Sequence, residues 1–496
     1  MESSSSNPQP HSLLTLVIAI VLLVFVSYKA YTIAICPLAH VPGPFISRCT
    51  NLRLKYAILR GNRVCYIHSL HQRYGPVVRV APNEVALNDA SAAKTIYKMG
   101  SPFMKTRFYS IFTGQRTTNL FSTCDAHWHG QHRRLTSANF SEQSVRLMEP
   151  YVAKNVQLAA QRIHDEATRD GFVDVLKWFM FMATDVIGEA SFGESFRMLE
   201  TGKKDQYIAD LEDLAAMGIV RVELESIINL MAKLPFGPAK KFPRIAARMN
   251  KYSDESIQRY WRRYSADPEN VKPTLLTKEY ALAENGVLPA EQLVHDARGY
   301  IIAGTDTTAI TATYAVWELA RHLEVQAALC GEVAGLPVDF NNDDLKTLPV
   351  LNQVLQETLR LHSAVGQGLP RAVPEGGADF GAYHLVGGTV VGVQAYSMHR
   401  DPAIWREPER FDPSRWENPS KAMLENFYPF GGGGRVCVGM HFAKLELRHA
   451  LANFYRTFEV GVKPAYVQGF SDWEMEPLSW FLEPPRGNRC LVASRK

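Results

Sequence analysis

The distribution of apolar residues predicts one very long buried helix in the second half of the chain. From Pro289 to Leu323 apolar side chains lie nearly all round the helical wheel, and a proline stands at a first-turn position. A helix that exceeds the usual globular length is expected to cross a whole domain. Two shorter helical patterns, each with one apolar face, follow at 348–365 and 438–458.

Extended patterns are short and few. They occupy 76–87 and parts of 368–393, where β-branched residues lie between turn residues. Most of the remaining chain is helical in pattern, and no repeat or low-complexity linker divides it. We therefore predict a mainly α fold with a small β part (α+β), formed by a single large domain over residues 49–496.

The N-terminal segment differs from this body. Residues 13–35 carry one charge, that of Lys29, and as a helix they would cross ~30 Å of hydrocarbon. Basic residues follow the segment rather than precede it, which disfavours a cleaved signal peptide and orients the body towards the cytosol. We predict a short tail at 1–11, a transmembrane anchor helix at 12–35 and a stiff proline-rich hinge at 36–48.

Composition excludes several classes of function. The chain is 46% hydrophobic and 21% charged with a net charge of +4, so neither a nucleic acid nor another polyanion is indicated as a partner. The seven cysteines contain no C-x-x-C pair, which is typical of free thiols in a reducing compartment. Asn139 opens a glycosylation sequon, and a sugar there would contradict a cytosolic body.

One cysteine stands in a distinctive loop, "FGGGGRVCVG", directly before a helical pattern. At a helix N-terminus the helix dipole would lower the pKa of the Cys437 thiol. The glycines at 431–434 would let the backbone approach a flat ligand, and Arg435 would bind a carboxylate on that ligand. A thiolate beneath a planar, carboxylate-bearing ring is the arrangement of haem-thiolate enzymes. A phosphate loop is excluded because no Gly-Lys-Ser/Thr follows the glycines, and a structural cysteine after a glycine turn is the alternative.

This loop resembles the haem-binding motif F-x-x-G-x-R-x-C-x-G of the cytochrome P-450 superfamily. The matching residues are Phe430, Gly433, Arg435, Cys437 and Gly439. The resemblance implies that these residues bind haem b and that Cys437 is the axial ligand of its iron. The anchor and the segment "HRDPAIWREPERFDPSRW" resemble the microsomal class, and "DVIGEASFG" resembles fungal enzymes of secondary metabolism.

The long helix carries "AGTDTT" at 303–308. Threonine within a helix often bonds the carbonyl four residues back, which for Thr307 is that of Ala303, and this bond would open a groove in the helix. Asp306 and Thr307 together offer an acid and a hydroxyl for proton delivery. Alone the stretch would be an ordinary polar step, but it resembles the oxygen-activating helix of the same family. The resemblance implies that Asp306 and Thr307 are catalytic and that Ala303 contacts the haem.

Glu357 and Arg360 form E-x-x-R within a mostly apolar helix pattern. A partly buried pair of this kind would need another partner. Arg410 lies in "PERF", which resembles a segment of the same family, and it is expected to supply that partner. The implied role of the three residues is to brace the cysteine loop, as outer residues brace a metal site.

Further matches concern the ring carboxylates. Arg371 and Arg133 match positions where the family has arginine, and His129 stands where it has tryptophan. The resemblance therefore implies that all three contact haem. A zinc site at His127, His129 and His132 is the alternative, which the spacing disfavours because it fits a helix poorly and lacks a fourth ligand.

By this resemblance the protein would be a membrane-anchored monooxygenase of the endoplasmic reticulum, with its body on the cytosolic face, that oxidises a lipophilic small molecule. No flavin or NADPH motif is visible, so electrons are expected from an NADPH-dependent cytochrome P-450 reductase docked on Lys421, Lys444 and Arg448. The alternatives are a haem-thiolate isomerase or dehydratase that does not use dioxygen, and a non-catalytic haem sensor. An apolar pocket is expected from residues that would equally serve as core: Phe103, Phe108, Phe112, Leu120 and Met217.

Overall fold

The computed structural model describes residues 14–21, 23, 24, 27, 35–114, 118–231 and 241–495. Of the predicted anchor, residues 12, 13, 22, 25, 26 and 28–34 lie outside the described residues. The described residues 14–21 are helical and exposed. Within the described parts of the chain, no helix combines the length and the apolar character that crossing a membrane requires.

Helices dominate the fold. In chain order the described helices are α1 (Phe45–Cys49), α2 (Leu52–Leu59), α3 (Arg63–Tyr74), α4 (Ala90–Tyr97), α5 (Phe108–Phe112), α6 (Ala126–Thr136), α7 (Glu142–Arg146), α8 (Glu149–Asp170), α9 (Val175–Phe192), α10 (Met198–Thr201), α11 (Gln206–Glu223), α12 (Glu225–Met231), α13 (Lys241–Ala266), α14 (Thr277–Glu284), α15 (Ala290–Arg321), α16 (Leu323–Ala334), α17 (Asn342–Lys346), α18 (Pro349–Leu361), α19 (Ala395–Met398), α20 (Lys421–Glu425) and α21 (Met440–Thr457). The strands are β1 (Val77–Ala81), β2 (Glu84–Leu87), β3 (Met104–Lys105), β4 (Val173–Asp174), β5 (Arg371–Ala372), β6 (Ala378–Phe380), β7 (Tyr383–Leu385), β8 (Val390–Val393), β9 (Val462–Pro464) and β10 (Leu491–Ser494). The predicted mainly α fold with a small β part is confirmed.

The predicted long central helix is confirmed as α15, which has 32 residues and is buried along most of its length. It packs mainly against α9 and also against α21. Gly304 brings α15 close to α9, because a Cβ there would lie 2.8 Å from the side chain of Ile187. The helix is continuous through 303–308, so the predicted opening at Thr307 does not occur.

The largest sheet brings two distant cations together. Its strand order is β1-β2-β8-β5-β3, with β2 and β8 parallel and the other pairs antiparallel. In the register of β3 and β5, Lys105 lies opposite Arg371. Since residues opposite each other share one face of a sheet, both side chains belong to the same face.

The E-x-x-R pair is completely buried. Arg360 donates to both Glu357 oxygens at 2.8 and 2.9 Å, and both side chains have 0% exposure. Arg360 also donates to three carbonyls, those of His399 (2.6 Å), Pro408 (2.7 Å) and Arg410 (3.1 Å). A buried ion pair is tolerated only when its remaining hydrogen-bonding capacity is used, and here it is.

The expected partnership of the Arg410 side chain with Glu357 is corrected by the structure. That side chain is 62% exposed and pairs with Glu407 at 3.3 Å, while its backbone carbonyl accepts from Arg360. Arg415 takes the expected place, with Nε 3.2 Å from Glu357. The Trp416 indole also donates to Glu357, at 3.0 Å. The segment is correctly identified from the sequence, but a different arginine in it turns inward.

His399 connects this network to the cysteine loop. Burial lowers the pKa of its imidazole to about 3, so the ring is neutral. Nε2 accepts from the Tyr428 N–H at 2.9 Å, and Nδ1 therefore donates to the Arg360 carbonyl at 2.9 Å. One imidazole thus joins the end of α18 to the residues that precede the glycine loop.

Replacing Glu357 by alanine is expected to lower the free energy of unfolding by ~3–5 kcal/mol, because Arg360 would remain as an unpaired buried charge. The matched control is Glu407→Ala, which removes an exposed ion pair and should cost less than ~1 kcal/mol. Urea titration of both variants measures the difference. Equal losses in the two variants would contradict the assignment.

Candidate active site

A large cavity lies between α15 and the cysteine loop. Its volume is about 1780 Å³, and Ala303, Gly304 and Thr307 line it on the helix side. Cys437 and Arg435 line it on the loop side. The volume exceeds the ~300–1,000 Å³ of ordinary small-molecule pockets, so a large cofactor and a substrate have room together.

Cys437 is the one cysteine that lines this cavity among the seven, all of which lie in described residues. Its backbone N–H donates to the Phe430 carbonyl at 2.9 Å, which closes the loop into a tight turn. A short 3₁₀ helix, Gly433–Arg435, precedes it, and α21 begins three residues after it at Met440. The Gly439 N–H points at the sulfur. The loop therefore presents the thiol to the cavity with a backbone donor beside it.

The predicted low pKa of this thiol is corrected by the structure. The side chain of Cys437 is exposed to the cavity, yet the protein atoms packed around its sulfur raise the pKa of the thiol and outweigh the Gly439 N–H and the nearby Arg133 charge, both of which lower it. The helix is not close enough to offset this, since two residues, Val438 and Gly439, separate Cys437 from the first residue of α21. A metal ion that displaces the proton would be needed to hold this sulfur as thiolate.

The four glycines have different roles. Gly431 and Gly432 line the cavity, as expected for close approach to a flat group. Gly433, with φ +59°, lies against the backbone of Tyr97, since a Cβ there would be 1.7 Å from its carbonyl oxygen. The glycine at this motif position is thus required by packing against α4.

Buried cations converge beside the loop. Lys105 is acted on electrostatically by Arg371 and Arg435, and Arg435 by Arg371 and Arg133. Burial followed by the neighbouring Arg371 lowers the pKa of Arg435 to about 10. The groups that raise the pKa of Arg435 are Tyr109 and Cys124, neither of which is a carboxylate. Burial and these same cations lower the pKa of His129 to about 3, so its imidazole is neutral. Such a cluster is stable only if an anion joins it.

Neutral acceptors, two carbonyls and one hydroxyl, hold the arginines of the cluster in place. Arg133 donates to the Val436 carbonyl at 2.9 Å and so ties α6 to the cysteine loop. Arg371 donates to the Tyr109 hydroxyl at 2.5 Å, and Arg435 lies 3.5 Å from the Thr123 carbonyl. The predicted arginines Arg371 and Arg435 therefore line the cavity near each other. Arg133 and His129 are close by but are not lining residues.

Lys105 was not identified from the sequence. It is 8% exposed, donates to the Phe121 carbonyl at 2.5 Å and lies 4.2 Å from the centre of the Tyr109 ring. Burial and the nearby arginines lower its pKa well below the usual value. A signal was available, since "SPFMKTRFYS" sets a lysine in an apolar setting, but its opposite number on β5 is far away in sequence.

The histidines of α6 do not face one another. His132 bonds Asp296 at 2.8 Å inside the protein and stacks on Trp128, while His127 is exposed. His129 faces the cations instead. The three rings therefore lie in three different environments.

The predicted hydrogen bond from Thr307 to the Ala303 carbonyl is confirmed at 2.7 Å. Asp306 and Thr307 both line the cavity. Burial raises the pKa of Asp306 to about 7, with a smaller contribution from the carboxylate of Glu212. At neutral pH Asp306 can therefore both hold and release a proton next to the Thr307 hydroxyl.

These observations fit haem b. The cavity offers one thiol, a glycine surface for a flat ring, and a buried cation cluster that needs carboxylates, which are the three features of that group. Cys437 would ligate the iron, and Arg371 and Arg435, which line the cavity, would bind the carboxylates, with Lys105, Arg133 and His129 next to them outside the lining.

Comparison with known proteins decides the family. The family model for cytochrome P-450 matches residues 42–486. The chain belongs to the cytochrome P-450 family. It is 42% identical to cytochrome P-450 monooxygenase tazI of Aspergillus terreus, over 96% of this chain and 98% of the relative. Two proteins of Aspergillus niger are also similar: monooxygenase orf2, 37% identical over 92% and 93% of the two chains, and monooxygenase azaI, 34% identical over 84% and 93%.

Membership of the cytochrome P-450 family establishes the type of reaction that the protein catalyses. The protein is an oxidoreductase, a cytochrome P-450 monooxygenase with a cysteine-ligated haem. Of the residues suggested for the substrate pocket, Phe112 lines the cavity of this cytochrome P-450, whereas Phe103 is core and its ring meets that of Phe380 at 6.0 Å.

The pKa of Asp306 predicts a pH dependence of stability. Because the folded-state pKa of about 7 exceeds the unfolded value of 3.8, the native protein binds more protons between these pH values, and stability falls as pH rises through this window. Replacing Asp306 by asparagine should flatten the fall, by at most ~1.4 kcal/mol per pH unit. Unfolding titrations at pH 5 and pH 8 measure it. Glu291→Gln, in the exposed first turn of α15, is the control, and an identical pH profile in Asp306→Asn and wild type would refute the shift.

Proposed function

We propose that this cytochrome P-450 hydroxylates or epoxidises a lipophilic small molecule in fungal secondary metabolism. Cys437 is the proposed iron ligand. The single observation that carries the proposal is that Cys437 and the Asp306–Thr307 pair line one cavity. The haem supplies activation of dioxygen when it is bound. The fungal origin of the similar monooxygenases supports the biological setting.

The chain's own contribution is to position groups and protons. Thr307 is fixed by its bond to the Ala303 carbonyl, and its hydroxyl oxygen can still accept a hydrogen bond from a group in the cavity. Asp306, with a pKa of about 7, passes protons without remaining charged. Since an isomerase or dehydratase that uses no dioxygen needs no such pair, the acid and hydroxyl favour the monooxygenase over that alternative. A non-catalytic sensor would need neither the pair nor the large cavity.

The decisive experiment is the absorbance spectrum of the reduced, carbon monoxide-bound protein. Wild type is expected to show the red-shifted band of a thiolate-ligated haem, and Cys437→Ser should lose it while remaining folded. The control is Cys124→Ser, which changes a half-buried cysteine near Arg435 and should keep the band. A band that survives in Cys437→Ser, or that is absent from folded, haem-loaded wild type, would overturn the proposal.

We also propose an anchor at 12–35 and a separate NADPH-dependent reductase as electron donor, with the body on the cytosolic face of the endoplasmic reticulum. The basic residues suggested for docking differ in exposure. Lys421 is exposed, whereas Lys444 and Arg448 are half-buried and Arg448 donates to Asn352 at 2.8 Å. Docking therefore rests mainly on Lys421 and the outer face of Lys444.

Glycosylation at Asn139 tests this topology in one direction only, since a sugar there would contradict a cytosolic body whereas its absence would not establish one. Asn139 is 2% exposed and donates to Glu279 at 3.2 Å, so its amide is inaccessible in the folded protein on either side of a membrane.

Removal of residues 1–35 tests anchor and donor together. The shortened protein is expected to move from the membrane pellet to the supernatant and to keep the carbon monoxide spectrum. Substrate oxidation with NADPH should require added reductase in both forms. Membrane association that survives the truncation, or NADPH-driven turnover without reductase, would contradict the respective part of the proposal.

A further inference from the structure

A cation without an acidic partner among the described residues lines the cavity on the side of α11. It is Arg221, near the end of that helix, and burial lowers the pKa of its guanidinium. Within the described part of the chain its one hydrogen bond is a long one, 3.5 Å to the Phe112 carbonyl. The guanidinium lies against the backbone of Gly114, because a Cβ there would be 2.8 Å from Nη1.

The chain itself offers no carboxylate to this arginine. Every Asp and Glu except Glu2 lies in the described residues, and none of these forms an ion pair with Arg221. The two nearest acids in sequence are engaged elsewhere: Glu223 with Lys55 at 3.8 Å, and Glu225 with Arg107 at 3.1 Å. A half-buried guanidinium left in this way favours an anion from outside the chain.

Aromatic rings stand beside the same arginine. Phe112, Phe121 and Phe481 line the cavity, and their ring centres are 4.7 Å (Phe112 to Phe481) and 5.6 Å (Phe121 to Phe481) apart. Phe108 stacks behind Phe112 at 5.8 Å. Since the Phe112 carbonyl accepts from Arg221, the cation and the aromatic surface adjoin. Such a surface favours a flat conjugated system through offset or edge-to-face stacking.

We infer that the substrate is a planar conjugated organic acid whose anion pairs with Arg221 while its ring system packs on Phe112, Phe121 and Phe481. This inference rests on the proposed oxidation of a small molecule in the same cavity and adds the chemical class. The anion at Arg221 would fix which end of the molecule points away from Cys437, because a guanidinium binds a carboxylate in a defined two-pronged geometry. Arg221 is a specificity residue, and it takes no part in the chemical step.

The test compares each acid with its neutral isostere. Haem-loaded, full-length protein is dialysed at pH 7.5 against 2-naphthoate, anthracene-2-carboxylate and pyrene-1-carboxylate, and against the primary amide of each. Wild type is expected to bind at least two of the acids tenfold or more tightly than their amides. Arg221→Gln should abolish this preference with little change in amide affinity, and Arg221→Lys should retain part of it.

Arg298→Gln is the matched control, since Arg298 also lines the cavity but hydrogen-bonds the Asn250 side chain. It should keep the preference for the acids. The inference is overturned if wild type does not prefer the acids, if the preference survives in Arg221→Gln, or if Arg298→Gln removes it equally. Binding needs no turnover, and the carbon monoxide spectrum of each variant reports separately on the haem. Failure here is therefore distinguishable from failure of the proposed function, and the wild-type comparison stands even if Arg221→Gln does not fold.

Discussion

The buried pair of Glu357 and Arg360 is the interaction on which the position of the site depends. Two charges are removed from water completely, and that is favourable only because every donor and acceptor of the pair is used. Those partners come from the segment at 399–416, and His399 extends the network to Tyr428. The cysteine loop is thereby fixed relative to α18, while Arg133 fixes it to α6. The thiol is held from two sides by side chains that do not line the cavity.

Buried charges in the scaffold have oppositely charged partners in the described part of the protein, whereas those at the site do not. At Glu357 and Arg360 the protein neutralises its own charges, and the buried side chains of His132 and Asp296 likewise bond each other, at 2.8 Å. At Lys105, Arg371 and Arg435, and again at Arg221, it does not. Buried charge without an internal partner costs stability, so such residues persist where a bound molecule completes them. Bound anions would complete these residues: the cofactor carboxylates at Arg371 and Arg435 and, by the inference above, an acidic substrate at Arg221.

Local sequence patterns predicted the structural features that depend on residues close together in the chain. The length of α15, the bond from Thr307 to Ala303 and the burial of Glu357 with Arg360 follow from helical periodicity and spacing, and the structure has them. The features that depend on how distant segments of the chain pack together were not predicted. Lys105 joins the cations only because β3 pairs with β5, and Arg415 rather than Arg410 turns inward because the loop after α19 places it there. The lowered pKa expected for Cys437 failed for a related reason, since burial is a property of the assembled fold.

The raised pKa of Cys437 links assembly of the site to cofactor binding. The side chain of Cys437 is open to the cavity, and the protein atoms packed around its sulfur raise the pKa of the thiol despite the nearby Gly439 N–H and Arg133. An iron held by this sulfur would take the place of the thiol proton, so thiolate formation and haem binding would be coupled. The haem carboxylates are negatively charged and would neutralise the cation cluster of Lys105, Arg371 and Arg435. Binding of haem would therefore stabilise both the thiolate and the cation cluster, which are unfavourable in the haem-free protein. Retention of haem therefore depends on the sulfur and on the cations together. Removal of one cation should lower the affinity for haem while Cys437 remains the iron ligand.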